Sequence, residues 1–381
     1  MAPITIIGSG LAGYTVAREL RKLDKDIPLR IISRDHGGFY SKPMLSNALA
    51  GNKSAEQLLM KSAAQMAAEL NAEILSNTGI NAIDRQAHQL HGSAGVLAYS
   101  KLVLALGADP FTPELAGDAA DEVLSVNDLD DYRRFRAALA DKHNITILGA
   151  GLIGCEFAND LLGQNLQIQL VDLAESPLSR LLPPAAGAYL QQQLEKQGVT
   201  FHLGSATQHV QRHGNGYRLT LHNGVQFDTD LVLSAIGLRP RVTLAQQAGL
   251  AVERGISVNR QLQTSDADIY ALGDCAEVTG YLLPFVMPIM QAARALAATL
   301  AGNTTDVRYP AMPVAVKTPA CPTTICPPPA GSIGQWQIEI QENGLKALCV
   351  DDTGKPLGFA LMGSANAEKQ LLATQMPAWL V

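Results

Sequence analysis

The 381-residue chain is sparing in charge, with 17% charged residues against 47% hydrophobic, and its formal net charge is −6. A balance of that sign leaves no large basic field for nucleic acid or an anionic membrane surface, although a local basic patch stays open. Nowhere does an apolar run reach the roughly 18 residues that a membrane-spanning helix needs. There are five cysteines, Cys155, Cys275, Cys321, Cys326 and Cys349, and none precedes residue 155. Scattered and odd in number, they argue against a disulfide framework. The eight histidines show no metal-ligand spacing, and no Ser-His-Asp arrangement can be recognised. The opening MAPITIIGSG has no basic stretch followed by a removable apolar core, so it is expected to belong to the fold. The expectation is a cytoplasmic globular protein.

Length exceeds what one core usually needs, so two or three domains are expected. The chain carries one device twice: ITIIGSGLAG at Ile4–Gly13 and ITILGAGLIG at Ile145–Gly154. In each, a β-branched run enters Gly-x-Gly-x-x-Gly and continues into a helical pattern. The first glycine allows the tight turn, the second lets the backbone approach a pyrophosphate, and the third permits close helix–strand packing. The helix N-terminus adds N–H donors and positive dipole. These positions are Gly8, Gly10 and Gly13, with Leu11 and Ala12 between them, and then Gly149, Gly151 and Gly154. An acid follows each copy at the distance expected for a ribose contact, Asp35 and Asp172. Val16, Leu20 and Leu23, and later Ile153, Phe157 and Leu161, are expected to form the apolar faces of the two helices. Two such units suggest two dinucleotides and electron passage between them.

The stretch DADIYALGDCAE at Asp266–Glu277 resembles the second flavin-binding motif of glutathione-reductase-like flavoproteins. LVLALGADP and LVLSAIGLRP resemble the segments that close each nucleotide domain in that family. FYSKPMLS at Phe39–Ser46 is similar to a stretch of its ferredoxin-reductase-like branch, with Lys42 in place of an arginine and Asn47 where lysine is common. With VMPIMQAARALAATLAG and VAVKTPACP, the resemblance extends to the rubredoxin-reductase family. It implies an α/β fold of two Rossmann-like dinucleotide-binding domains, the NAD domain inserted in a discontinuous FAD domain, plus a small α+β C-terminal domain. The implied boundaries are 1–112 and 245–308 for FAD, 113–244 for NAD, and 309–381 for a C-terminal interface domain.

The same resemblance implies FAD at the first loop, with Asp35 on its adenosine ribose and Asp274 on its ribityl chain. Ile80 and Val286 would give backbone contacts, and the helix starting near Val286 would aim its positive end at the flavin pyrimidine edge. NADH would take the second loop and Asp172. Lys42, Lys317 and Glu156 would lie near the flavin and nicotinamide, with Glu156 and Lys42 the catalytic candidates. An acid in the first helical turn also suits the helix dipole, which is the plainer reading of Glu156. The implied activity is electron transfer from NADH through FAD to rubredoxin, a small acidic iron protein that can feed alkane hydroxylation. Lys42, Lys53 and Lys317 are the candidates for a local basic patch facing it. Ferredoxin reduction, NADH oxidase activity and a nucleotide-sensing role are the alternatives. An oxidase of this type normally carries a cysteine near residue 40, where this chain has Ser41 and Ser46. Cys321 and Cys326, in a proline-rich stretch read as a loop, could form a dithiol relay, although structural thiols are commoner there.

Overall fold

Both strand–glycine–helix segments form as the spacing requires in the computed structural model, which describes residues 2–381. Ile4–Ile7 leads into the helix Leu11–Leu23, and Asn144–Leu148 leads into Leu152–Leu161. Ile4–Ile7 sits at the centre of a five-stranded parallel sheet, between Leu29–Ile32 and Lys101–Leu104. Glu73–Leu75 borders one edge. The other edge is Ile269–Ala271, a strand from much later in the chain, paired with Leu102–Leu104. The second unit is a four-stranded parallel sheet in the order Val199–His202, Gln167–Val171, Asn144–Leu148, Leu231–Ser234. Its strand Leu231–Ser234, like Ile4–Ile7, is buried at every residue, as expected where helices and loops cover both faces of a parallel sheet.

The two closing segments singled out in the sequence meet. Ala108–Pro110 and Leu238–Pro240 form a short antiparallel ribbon, with Leu238 opposite Pro110 and Pro240 opposite Ala108. The late helix Val286–Leu300 packs against Leu11–Leu23, so early and late chain share one core that includes Ile6, Leu20, Leu104, Ile269 and Leu296. At the C-terminus, Val314–Val316, Thr323–Cys326, Pro356–Gly363, Gly344–Val350 and Gln335–Gln341 make a five-stranded antiparallel sheet. A second core joins this sheet, the second unit and residues 45–58, through Leu45, Phe157, Ile325 and Met362. The architecture is therefore α/β, with two nucleotide-type units and a small mixed C-terminal unit.

Three expectations change. Leu23 is 57% exposed while Val16 and Leu20 are buried, because it ends its helix beyond the covered face. Ile153 is exposed, unlike Phe157 and Leu161, because it lies in the first turn of its helix and faces a cavity. The proline-rich stretch contains the fully buried strand Thr323–Cys326. Pro322 and Pro327 flank the β-branched run Thr323-Thr324-Ile325 and leave its ladder bonds intact.

Candidate functional site

A cavity of about 1260 Å³ opens between the two nucleotide units and the C-terminal unit. That exceeds the roughly 300–1,000 Å³ of most small-ligand pockets. Its walls bring together Gly8, Gly10, Leu11 and Ala12 of the first loop with Asp35, Lys42 and Ile80. Asp274 and Val286 enter from the late segment, Glu156 from the second unit, and Lys317 from the C-terminal unit. Gly13, Gly149, Gly151, Gly154 and Asp172 lie outside this lining. Gly13 is internal to its turn, and from the second unit the helix after the glycine loop reaches the lining through Leu152, Ile153, Glu156 and Phe157.

The glycines differ in what requires them. Gly8 has φ of +120°, and a Cβ there would stand 2.1 Å from the Ala105 carbonyl oxygen. A Cβ on Gly13 would stand 1.9 Å from the Gly8 oxygen. At Gly10, by contrast, an added Cβ meets nothing within 4 Å. The second loop repeats this: Gly149 and Gly154 are confined by backbone, whereas Gly151 opens onto empty space. The middle glycine of each loop is thus not required by the protein's own packing, and it leaves room for a group that must touch the backbone. Gly10 and Gly151 each precede a helix that has no side-chain cap and no acid in its first turn, so the leading N–H groups can bind an anion.

Asp35 accepts hydrogen bonds from the Gly37 N–H at 2.8 Å and the Ser33 hydroxyl at 2.5 Å, both on Oδ1. Asp172 accepts from the Ala150 N–H at 2.6 Å on Oδ2 and the Ala174 N–H at 2.8 Å on Oδ1, which fixes it beside the second loop. Asp274 follows Gly273, whose missing Cβ lets the late segment close against Ala12 of the first helix.

Glu156 is fully buried, and two distant segments of the chain converge on it. Lys317 donates from its ammonium to Oε2 and from its backbone N–H to Oε1, the latter at 3.0 Å. The Ser46 hydroxyl donates to Oε2 at 2.7 Å. The helix starts at Leu152, inside the glycine triplet, so Glu156 lies past the first turn, where the dipole effect has faded. The helix-dipole explanation of Glu156 therefore falls.

Lys42 opens the short helical segment Lys42–Asn47 and donates to Asn127 Oδ1 at 2.6 Å. Among the described residues no carboxylate forms an ion pair with it. Burial pulls its pKa below the ordinary lysine value, and the nearby Asp274 charge opposes that shift. Of the three lysines expected to form a basic patch, Lys42 and Lys317 are engaged inside the cavity, and Lys53 alone is exposed.

Asn127 and Asp160 escaped the sequence reading, and Ser46 entered it only within its motif and as a residue standing where an oxidase carries cysteine. Asp160 had one available signal, its four-residue spacing from Glu156 on a helix. Asn127 had none.

All five cysteines are free and buried. Burial raises the Cys321 thiol and pushes Cys326 up to about 11, the opposite of a reactive thiol. Replacing both with serine is expected to leave NADH-to-acceptor electron transfer within about twofold while lowering the melting temperature, since each hydroxyl is buried at a cost of about 1–3 kcal/mol. Loss of turnover in a folded, flavin-loaded variant would restore the dithiol relay.

A model of the pyridine nucleotide-disulphide oxidoreductase family matches residues 2–299, and a model of the rubredoxin binding C-terminal domain matches residues 306–376. Rubredoxin-NAD(+) reductase of Alcanivorax borkumensis is 48% identical over 379 residues, covering 99% of each chain. The protein of the same name from Acinetobacter baylyi is also 48% identical, over 99% of this chain and 98% of its own. A solved ferredoxin reductase from Rhodopseudomonas palustris superimposes with a TM-score of 0.88 at 26% identity, covering 99% of this chain and 96% of that one.

Proposed function

This chain belongs to the pyridine nucleotide-disulphide oxidoreductase family, and on that premise we propose that it is an FAD-dependent NADH:rubredoxin oxidoreductase. One observation carries the reading: the unit matching a rubredoxin binding domain sends Lys317 into the nucleotide cavity, onto Glu156 of the second unit. The partner-binding part of the chain thereby forms a wall of the redox site.

In this reading the first loop, Gly8 to Gly13, holds the FAD pyrophosphate, for which Gly10 leaves the space and the following helix the donors. Asp35 takes the adenosine ribose, Asp274 the ribityl chain, and Ile80 supplies a backbone contact. Bound FAD supplies the conversion of a two-electron hydride donor into single electrons. Val286 begins a helix without a first-turn acid, and its positive end favours negative charge in the cavity. Lys42 adds a half-buried cation that has no carboxylate ion-pair partner among the described residues. Glu156 orients Lys317 and Ser46 at the junction of the three units. Gly149, Gly151 and Gly154 with Asp172 take NADH. The FAD parts run over 1–112 and 245–308, the NAD part over 113–244, and the C-terminal interface over 309–381. Five free buried thiols suit a reducing compartment such as the cytoplasm, and no described helix is long and apolar enough to cross a membrane.

NADH should be preferred to NADPH, because the Asp172 carboxylate bonds a ribose hydroxyl and repels a 2′-phosphate. Asp172→Asn removes the charge, keeps an acceptor for only one of the two loop amides, and is expected to shrink the kcat/KM ratio between the two donors. Equal use of both donors by the wild type refutes this role for Asp172.

The overall test is stopped-flow absorbance of the purified protein with NADH and rubredoxin, ferredoxin or oxygen as acceptor. Bleaching of the flavin by NADH and fastest reoxidation by rubredoxin are expected. Slow reduction with every acceptor favours the sensing alternative, and fastest reoxidation by oxygen favours the oxidase.

A further inference from the structure

Asp160 lies four residues beyond Glu156, so the two carboxylates share one face of the helix Leu152–Leu161. Both reach the same stretch of the first unit. Glu156 takes the Ser46 hydroxyl, and Asp160 takes the three consecutive backbone N–H donors of residues 48–50. Its Oδ2 accepts from the N–H groups of Ala48 and Leu49, and its Oδ1 from Ala50, each at 2.9 Å.

This placement is unfavourable for the helix itself. Asp160 is 2% exposed, forms no ion pair among the described residues, and sits in the last turn, where the dipole disfavours negative charge. Burial raises its carboxyl pKa, against the pull of the three amides and the Lys317 charge. A buried carboxylate persists where its hydrogen bonds compensate for lost water. Here all of those bonds go to another unit. Asn159, beside it, accepts from the Ala320 N–H at 3.0 Å, close to Lys317. One helical turn thus fixes both segments that deliver side chains to Glu156.

We infer that Asp160 is a positioning residue for hydride transfer, gripping the 48–50 backbone so that Lys42 and Ser46 are held in the cavity wall, with Ser46 on Glu156. The inference rests on the proposed NADH and FAD sites. Three consecutive amides on one carboxylate fix the segment in both position and rotation. Reacting groups are sensitive to such placement, and a shift of about 1 Å can reduce a rate roughly 100-fold.

The test uses the flavin-loaded full chain with Asp160→Asn. An amide side chain offers one acceptor oxygen and one donor nitrogen, so it cannot accept on both sides as the carboxylate does. Hydrogen exchange at Ala48, Leu49 and Ala50 is expected to accelerate at least about tenfold, and flavin reduction by NADH to slow by about 10- to 100-fold. NADH affinity and flavin content should change by less than about twofold, because neither glycine loop is touched. Faster exchange with an unchanged reduction rate makes Asp160 a structural anchor only and overturns the inference. Unchanged exchange overturns it as well. If Asp160→Asn fails to fold, Asp160→Glu decides, since it keeps the charge and displaces it by one methylene. Failure of both variants to fold assigns Asp160 to folding and also overturns the inference. A wild type that NADH does not reduce refutes the proposed function instead, so the two failures are distinct.

Discussion

Gly10→Val is expected to purify without yellow colour while remaining folded. The backbone at Gly10, φ −74° and ψ −172°, is open to any residue, and the new Cβ meets no protein atom within 4 Å. Its branches would instead fill the space through which a phosphate reaches the helix N–H groups. Losing two charge-assisted hydrogen bonds, each worth about 1.5–3 kcal/mol, weakens flavin binding by roughly two to four orders of magnitude. Visible absorbance per chain and the melting temperature of the flavin-free protein measure the two halves of this expectation separately. The neighbouring Gly13 cannot serve for such a test. A Cβ there lies 1.9 Å from the Gly8 oxygen, so its substitution damages the fold and the site together. Full flavin retention by Gly10→Val would falsify the assignment of the first loop. Gly151→Val applies the same argument to the second loop and should lose NADH affinity while keeping its colour.

Glu156→Gln should hold flavin yet be reduced by NADH about 10- to 100-fold more slowly, as expected when an orienting group is lost. The glutamine keeps the shape but removes the charge that faces the Lys317 ammonium. Breaking a buried pair in this way costs about 3–5 kcal/mol, and the lower end applies because Lys317 still reaches solvent. Stability and rate can be separated by the double variant Glu156→Gln/Lys317→Met. Removing the orphaned ammonium should restore much of the stability, whereas the reduction rate should stay low. An unchanged single-turnover rate in Glu156→Gln would confine this residue to structural support.

The parts of the site that follow local rules were readable from sequence. Strand, glycine loop, helix and acid occur within about 30 residues, so Gly10 and Asp35, or Gly151 and Asp172, announce themselves by spacing alone. The Glu156 cluster obeys no such rule. Ser46 and Lys317 reach it from separations of 110 and 161 residues, and only the packing of three units brings them together. Lys42 was read from its motif as a charge near the flavin, but its Asn127 partner, 85 residues away, depends on how the two units meet. The strand Thr323–Cys326 was hidden for a different reason. Its flanking prolines mark a loop by composition, although they lie outside the ladder they border.

The edge strand Ile269–Ala271 also sets an order of events during synthesis. It pairs with Leu102–Leu104, so the first sheet gains its last strand only after roughly 165 more residues have been made. At about 5–20 residues per second, that interval is on the order of 10–30 s. The second sheet, by contrast, has all its strands between Asn144 and Ser234 and can close as soon as they emerge. The unit that begins the chain is therefore the later of the two to finish, and until then the outer edge of Lys101–Leu104 has unpaired backbone groups. Unpaired edges are templates for pairing between chains, so aggregation of the nascent protein should depend on how quickly residues 105–268 are translated. Slowing translation within that window would lengthen the exposure, whereas the same delay after Ala271 would leave the first sheet already complete.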